Sequence, residues 1–142
     1  MNILLALDDY RPTWEKALGL TRELKAELTV LFVMDNTWNV FVGHDWLSGS
    51  DSRADFLEWM RDEEVKASEA ALKDFRILAG DTRFAVKTAI GDVCEEIGKE
   101  VRKGYDLLIL SNPFSRGLEV VRKAVPGMAE NCPCDLLLVR KK

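Results

Sequence analysis

The sequence is poor in histidine and cysteine, which limits the catalytic and metal-binding chemistry it can support. His44 is the only histidine in 142 residues, so neither a histidine-based metal site nor a histidine-containing triad can be assembled. The three cysteines are an odd number, and Cys132 and Cys134 flank one proline in a spacing that matches neither a redox pair nor a usual zinc half-site. We expect reduced, structural thiols and no metal.

The chain also lacks an excess of positive charge and any long apolar run. Its net charge of -4 and pI near 5.1 oppose phosphate-directed nucleic-acid binding. No stretch approaches the roughly 20 apolar residues of a membrane helix. The apolar opening lacks a basic leader and runs directly into Asp8 and Asp9. We expect a cytoplasmic protein with neither a nucleic-acid nor a membrane partner.

What the sequence does contain is a regular alternation of strand and helix patterns. Residues 1–142 have the length of one domain, and 47% of them are hydrophobic. Apolar runs predict strands at 2–7, 28–34, 107–110 and 135–139, and an alternating pattern predicts a half-buried strand near an edge at 83–89. Helical spacing follows Pro12, continues from about Asp51 or Ser52 to Ala79, and begins again after Asp92.

A fourth helical stretch is predicted between the last two strands. It contains Leu118, Val121 and Val125, and Pro126 should kink or end it early. Strands alternating with helices predict an α/β fold: a doubly wound, five-stranded, mainly parallel sheet with helices on both faces.

Ligands of such folds bind beyond the carboxyl ends of the strands, where the winding reverses. Asp8 follows the first predicted strand, and a polar turn of residues 111–117 follows the fourth. In one interpretation Asp8 contacts a ligand and the turn receives a phosphate; in the other Asp8 caps its own turn and residues 111–116 are a solvated loop. A phosphoacceptor receiver domain would need an Asp closing the third strand, and that position has none.

Several local patterns, in order, resemble the universal stress protein family over nearly the whole chain. Residues 3–8 resemble its first strand and the Asp that follows, and residues 31–35 resemble its second strand. The run Ile90-Gly-Asp-Val-Cys-Glu-Glu-Ile97 is similar to its Gly-Asp-Pro-x-x-x-Ile helix start, and residues 105–110 and 132–140 are similar to its last two strands. The resemblance implies the adenine nucleotide alpha hydrolase-like fold with strand order 3-2-1-4-5.

The resemblance also implies where a ligand would lie. The adenine and ribose side would be formed by Ala6, Asp8, Val33 and Leu110. The phosphate loop would be formed by Ser111, Asn112, Phe114, Ser115, Arg116, Gly117, Ala124 and Val125. Arg116 would either pair with phosphates or lie in solvent.

The phosphate loop departs from the family pattern of Gly-x-x-Gly, nine residues, then Gly-Ser or Gly-Thr. Ser111 and Phe114 replace the first two glycines, the pair 124–125 replaces the last motif, and only the accessory Gly117 remains. Side chains obstruct the backbone approach to phosphates that glycine allows. We expect weak or no ATP binding, although ATP or AMP as a ligand stays open and no cofactor is identified.

Two further features concern partners. Trp38, Phe41 and Trp46 lie in a long loop at 36–52, where they form either a lid or partner patch or a local core. The last predicted strand lies at a sheet edge, and the resemblance makes it the dimer contact through Leu136, Leu137, Leu138 and Val139.

The sequence therefore favours a universal-stress-type homodimer that acts by partner or small-ligand binding and is not an enzyme. The alternative is an ATP- or AMP-dependent switch that uses the crevice around Asp8, with slow hydrolysis left open. A nucleophilic enzyme comes third, because Cys94, Cys132 and Cys134 have no histidine to activate them.

Overall fold

A parallel sheet forms the centre of the fold. The computed structural model describes residues 1–35, 50–116, 119–120 and 124–141. The central strands are β1 (Asn2–Ala6), β2 (Glu27–Asp35), β3 (Phe84–Gly91), β4 (Leu107–Asn112) and β7 (Asp135–Arg140). They run parallel in the order β3-β2-β1-β4-β7, with β5 (Ser115–Arg116) and β6 (Glu119–Val120) forming a separate antiparallel pair. The predicted fold class and strand order are confirmed.

Helices cover both faces of this sheet. They are α1 (Arg11–Leu24), α2 (Ser50–Ala79), α3 (Val93–Val101) and α4 (Ala124–Asn131). Alternate residues of β1 divide between two cores, with Ile3 and Leu5 in one and Leu4 in the other. The first core contains side chains of α1 and α2, and the second contains side chains of α3 and α4.

Local sequence features set the helix boundaries as predicted. Pro12 lies in the first turn of α1, where no intrahelical donor is lost. Gly80 follows α2 with a φ of +61°, a left-handed conformation that glycine adopts at little cost. The Asp92 carboxylate accepts a hydrogen bond from the Glu95 backbone N–H at 3.0 Å and so caps α3.

The predicted helix between the last two strands is wrong in its first half. Glu119–Val120 forms β6, which pairs with β5, while Leu118 and Val121 lie outside the described residues. Pro126 neither kinks nor ends the helix, because it lies in the first turn of α4, which continues to Asn131. A missing N–H in the first turn removes no intrahelical hydrogen bond.

Two other predicted boundaries need correction. Ser111 and Asn112 do not begin a turn, because they continue β4 and pair with Val139 and Arg140 of β7. In the aromatic loop predicted at 36–52, residues 36–49 lie outside the described part of the chain, and Ser50 already belongs to α2. No described helix is both long and apolar enough to cross a membrane.

Candidate functional site at the strand ends

The reversal of winding lies between β1 and β4. From β1 the chain proceeds outward to β2 and β3, then returns to place β4 on the other side of β1 and β7 beyond it. Asp8 lies two residues after the end of β1, and Ser111 lies near the end of β4. Both residues therefore occupy the position at which open parallel sheets bind ligands.

The Asp8 side chain is buried and bonded to its own surroundings. Asp8 as a whole is 2% exposed. Its Oδ1 accepts hydrogen bonds from Ser111 Oγ at 2.9 Å and from the Tyr10 backbone N–H at 3.1 Å. The bond to Tyr10 means that Asp8 does cap the turn after β1, as one of the two interpretations of the sequence required.

A hydrogen-bonded chain of side chains extends this contact to α1. Thr13 Oγ1 lies 2.7 Å from Ser111 Oγ, and both residues are completely buried. Since the single Ser111 proton is directed to Asp8, Thr13 donates to Ser111. Trp14 Nε1 donates to the Asp8 carbonyl oxygen at 3.0 Å. The start of α1 is thus bonded to the ends of β1 and β4.

Lys141 brings a positive charge to the same place from beyond β7. Its Nζ lies 3.2 Å from Asp8 Oδ2 and 3.6 Å from Asp9 Oδ1, and 5.3 Å from the centre of the Tyr10 ring. The Lys141 backbone N–H donates to the Asn112 carbonyl oxygen at 2.9 Å, and its side chain is 16% exposed. The Lys141 ammonium group therefore forms an ion pair with the Asp8 carboxylate.

Burial and these contacts act on Asp8 in opposite directions. Burial raises the pKa of the Asp8 carboxyl, because a charged group is disfavoured away from water. The Tyr10 N–H, the Ser111 hydroxyl and Lys141 oppose that rise by stabilising the charged form. Burial outweighs these contacts, so the pKa of the Asp8 carboxyl lies above its ordinary value.

The other residues assigned to the adenine and ribose side lie in the second core. Ala6, Val33 and Leu110 are at most 4% exposed, and they share this core with Phe114. The Phe114 side chain thus packs inward, where it is 2% exposed. The structure brings these four residues together inside the second core, where they expose almost no surface to a ligand.

The residues assigned to the phosphate loop are divided among three elements. Asn112 lies in β4, Ser115 and Arg116 form β5, and the pair 124–125 begins α4. Gly117 lies outside the described residues. A role of Arg116 in binding phosphates stays a prediction.

Sequence patterns missed Thr13, Trp14 and Lys141. Thr13 and Trp14 were expected only near the start of a helix, and Lys141 follows the last strand with no local pattern that marks it. Their role depends on strand order, which places β4 beside β1 and β7 beside β4. No spacing rule within one segment would have found them.

A second group of charged residues lies away from the strand ends, between β3 and α3. A cavity of about 400 Å³ is lined there by Lys87, Glu96, Lys99, Glu100 and Lys103, with three less polar neighbours. Glu100 accepts hydrogen bonds from Lys87 Nζ at 2.9 Å, Lys103 Nζ at 3.0 Å and Tyr105 Oη at 2.7 Å. In the part of the chain that the structure describes, no three histidine, cysteine or acidic side chains are grouped to hold a metal ion.

Several solved structures that are similar to this chain are universal stress proteins. The chain is similar to the universal stress protein UspA from Lactobacillus plantarum, with a TM-score of 0.76 and 17% identity over 99% of this chain and 97% of the other. A universal stress protein family structure from Burkholderia pseudomallei has a TM-score of 0.61 and 19% identity over 97% and 94% of the two chains.

A third similar structure is a universal stress protein in complex with cAMP, with a TM-score of 0.52 and 15% identity over 99% of this chain and 96% of the other. No protein-family profile matches this sequence, and no curated protein does. The chain therefore has the universal stress protein fold, as the sequence patterns predicted, and identities this low define the fold alone.

Proposed function

We propose that this protein is a universal-stress-type homodimer that regulates by binding a partner or small ligand, with weak or no affinity for ATP and no covalent catalysis. The observation that supports this is the Lys141 contact, because the ammonium group covers the carboxylate at the strand-end crevice. The adenine base of an incoming nucleotide would have to displace Lys141 before it reached Asp8. That displacement separates a largely buried ion pair, which costs binding free energy.

The phosphate side supports the same proposal. Pro126 removes a backbone N–H from the first turn of α4. Phosphates bind to helix starts through such N–H groups. Phe114, which stands where nucleotide-binding members of the family have glycine, adds no obstruction, because its side chain packs in the second core. Fewer donors near the crevice mean weaker retention of a triphosphate.

An adenine-nucleotide switch is the second candidate. It is favoured by the solved universal stress protein in complex with cAMP and by the position of Asp8 at the reversal of winding. In this case Lys141 would move aside when nucleotide binds. Slow ATP hydrolysis would belong to this candidate.

Thermal unfolding with and without ATP, AMP and cAMP, each with magnesium, separates the two candidates. A ligand at a hundred times its dissociation constant stabilises the folded state by about 2.7 kcal/mol, which is enough to raise the melting temperature measurably. We expect no shift for the wild type. A saturable shift with any of the three nucleotides would overturn the proposal in favour of the switch.

The role of Lys141 is tested with Lys141→Met, which keeps the aliphatic stem and removes the charge. If Lys141 closes the crevice, this variant should bind AMP or cAMP more tightly than the wild type. Lys16→Met, at an exposed position of α1, is the matched control and should behave as the wild type. Equal responses of all three proteins would show that Lys141 does not limit access.

A further inference from the structure

Cys132 and Cys134 bring two thiols together at the junction of α4 and β7. The Cys132 backbone N–H donates to the Met128 carbonyl oxygen at 2.9 Å, which continues the hydrogen bonding of α4 by one residue. Cys134 immediately precedes β7. The two Sγ atoms lie 3.7 Å apart, and all three cysteines of the chain are reduced.

The surroundings give the two thiols different chemistry. Both are half-buried and pack against the second core. Burial, together with the neighbouring Cys132 and the acidic Asp135 and Asp106, raises the pKa of the Cys134 thiol to about 12. Cys134 Sγ also lies 3.4 Å from the Asp135 carbonyl oxygen, to which it donates. Cys134 therefore keeps its proton at neutral pH.

We propose that Cys132 and Cys134 form a reversible redox modification site, in which a peroxide converts the dithiol into an intramolecular disulfide. This goes beyond the binding function proposed above and does not depend on it. Cys132 is the residue that peroxide attacks, and Cys134 is the residue that resolves the product. The Sγ–Sγ distance of 3.7 Å carries the proposal.

The reaction balances in two steps. The Cys132 sulfur takes one oxygen atom from hydrogen peroxide and becomes a sulfenic acid, and one water is released. Cys134 Sγ then attacks the Cys132 sulfur, the S–O bond breaks, and the hydroxide leaves with the Cys134 proton as a second water. The two thiols lose two electrons and two protons in total, and the peroxide is reduced to water.

The geometry favours closure but not a highly stable product. The Sγ atoms must approach from 3.7 Å to about 2.05 Å, a movement that rotation of the two side chains can supply. Only Pro133 separates the two cysteines, so the ring that closes is small and its backbone is restrained. Strained disulfides are more easily reduced. We therefore expect a disulfide that a small-molecule thiol reopens.

The test uses the full-length protein, reduced, freed of reductant and treated with a small excess of hydrogen peroxide. Maleimide labelling under denaturing conditions should fall from three thiols to one, and the intact mass should show the loss of two hydrogen atoms. Peptide mapping should place the remaining label on Cys94. Reduced glutathione should restore all three labels.

Single substitutions assign the two roles. Cys134→Ser should stop at a sulfenic acid on Cys132 that a dimedone probe traps, Cys132→Ser should give no disulfide, and Cys94→Ser should close the disulfide as the wild type does. Three labelled thiols after peroxide treatment of the wild type, or a disulfide that involves Cys94, would overturn the proposal. Mapping of the wild type decides the question even if a variant folds poorly.

Discussion

Glu100 is a buried carboxylate whose charge is balanced by Lys87, Lys103 and Tyr105. Burial alone would raise its pKa, but hydrogen bonds from these three residues lower it to about 2. Glu100→Gln should therefore reduce the free energy of unfolding by about 1–3 kcal/mol at pH 7, because two ammonium groups lose a charged acceptor. Urea unfolding measures this. Glu63→Gln is the control, since its exposed pair with Lys66 at 4.0 Å should contribute less than about 0.5 kcal/mol.

The same comparison has a defined pH dependence. The folded-state pKa of Glu100, about 2, lies below its ordinary value of 4.5, so the carboxylate stabilises the fold fully above pH 4.5. That stabilisation is lost as the pH falls from 4.5 toward 2. The wild type and Glu100→Gln should thus approach equal stability at low pH. A difference that stays constant with pH would contradict the assignment.

At the scale of single residues, sequence patterns located Asp8 but not what contacts it. A strand-end carboxylate is visible as the polar residue that ends an apolar run. Its contacts with Ser111 and Lys141 join positions far apart in the chain, and they exist because β1, β4 and β7 are neighbours. Local patterns therefore predicted the position of Asp8 at the strand ends, and the tertiary structure determines which side chains contact it.

Among the helices, α3 offers the clearest test of a local boundary. Asp92→Ala removes the acceptor of the Glu95 N–H and should reduce the free energy of unfolding by about 1 kcal/mol. Asp92→Asn keeps an oxygen at the same position and should stay within a few tenths of a kcal/mol of the wild type. Chemical denaturation compares the three proteins. An equal loss in both variants would mean that the charge, and not the capping bond, matters.

Residues 115–131 show why one helix prediction failed while the others held. Apolar residues at helical spacing predicted a helix that includes Leu118, but short strands can contain the same residue types, and Glu119–Val120 pairs with β5 instead. A proline is also ambiguous, because in the interior of a helix it breaks the helix, whereas in the first turn it is compatible with a helix start. Pro126 does the second.

For the whole molecule, the prediction is a homodimer through the β7 edge. Leu136, Leu137, Leu138 and Val139 are half-buried in the single chain, whereas the adjacent Leu108, Ile109 and Leu110 of β4 are fully buried. A second copy paired along β7 would cover the remaining apolar surface. Sedimentation equilibrium of the wild type should give twice the mass of one chain.

Substitutions on the two sheet edges identify the interface. Leu137→Lys, on β7, should give a monomer. Ile90→Lys, on the opposite edge strand β3 where Ile90 is 65% exposed, should remain dimeric. A monomeric wild type would refute the dimer, and dissociation by Ile90→Lys alone would place the interface on β3. Cooperative thermal unfolding of both variants is the control that they are folded.

The positions of the main strands were the most predictable property of the whole molecule. Apolar runs predicted four of the five main strands, an alternating pattern predicted β3, and alternation with helices predicted parallel pairing. The arrangement β3-β2-β1-β4-β7 came from the family resemblance, because periodicity alone does not say on which side of β1 the fourth strand lies. The dimer has no such pattern within the chain and stays a prediction.

The central place of β1 also has a consequence during synthesis. One neighbour, β2, begins at Glu27, whereas the other, β4, begins only at Leu107. While the intervening residues are being made, the nascent chain has one side of β1 without its final partner, and that open side can pair with strands of other chains. Slow synthesis of α2 and α3 would prolong this exposure and would favour pairing between chains over folding.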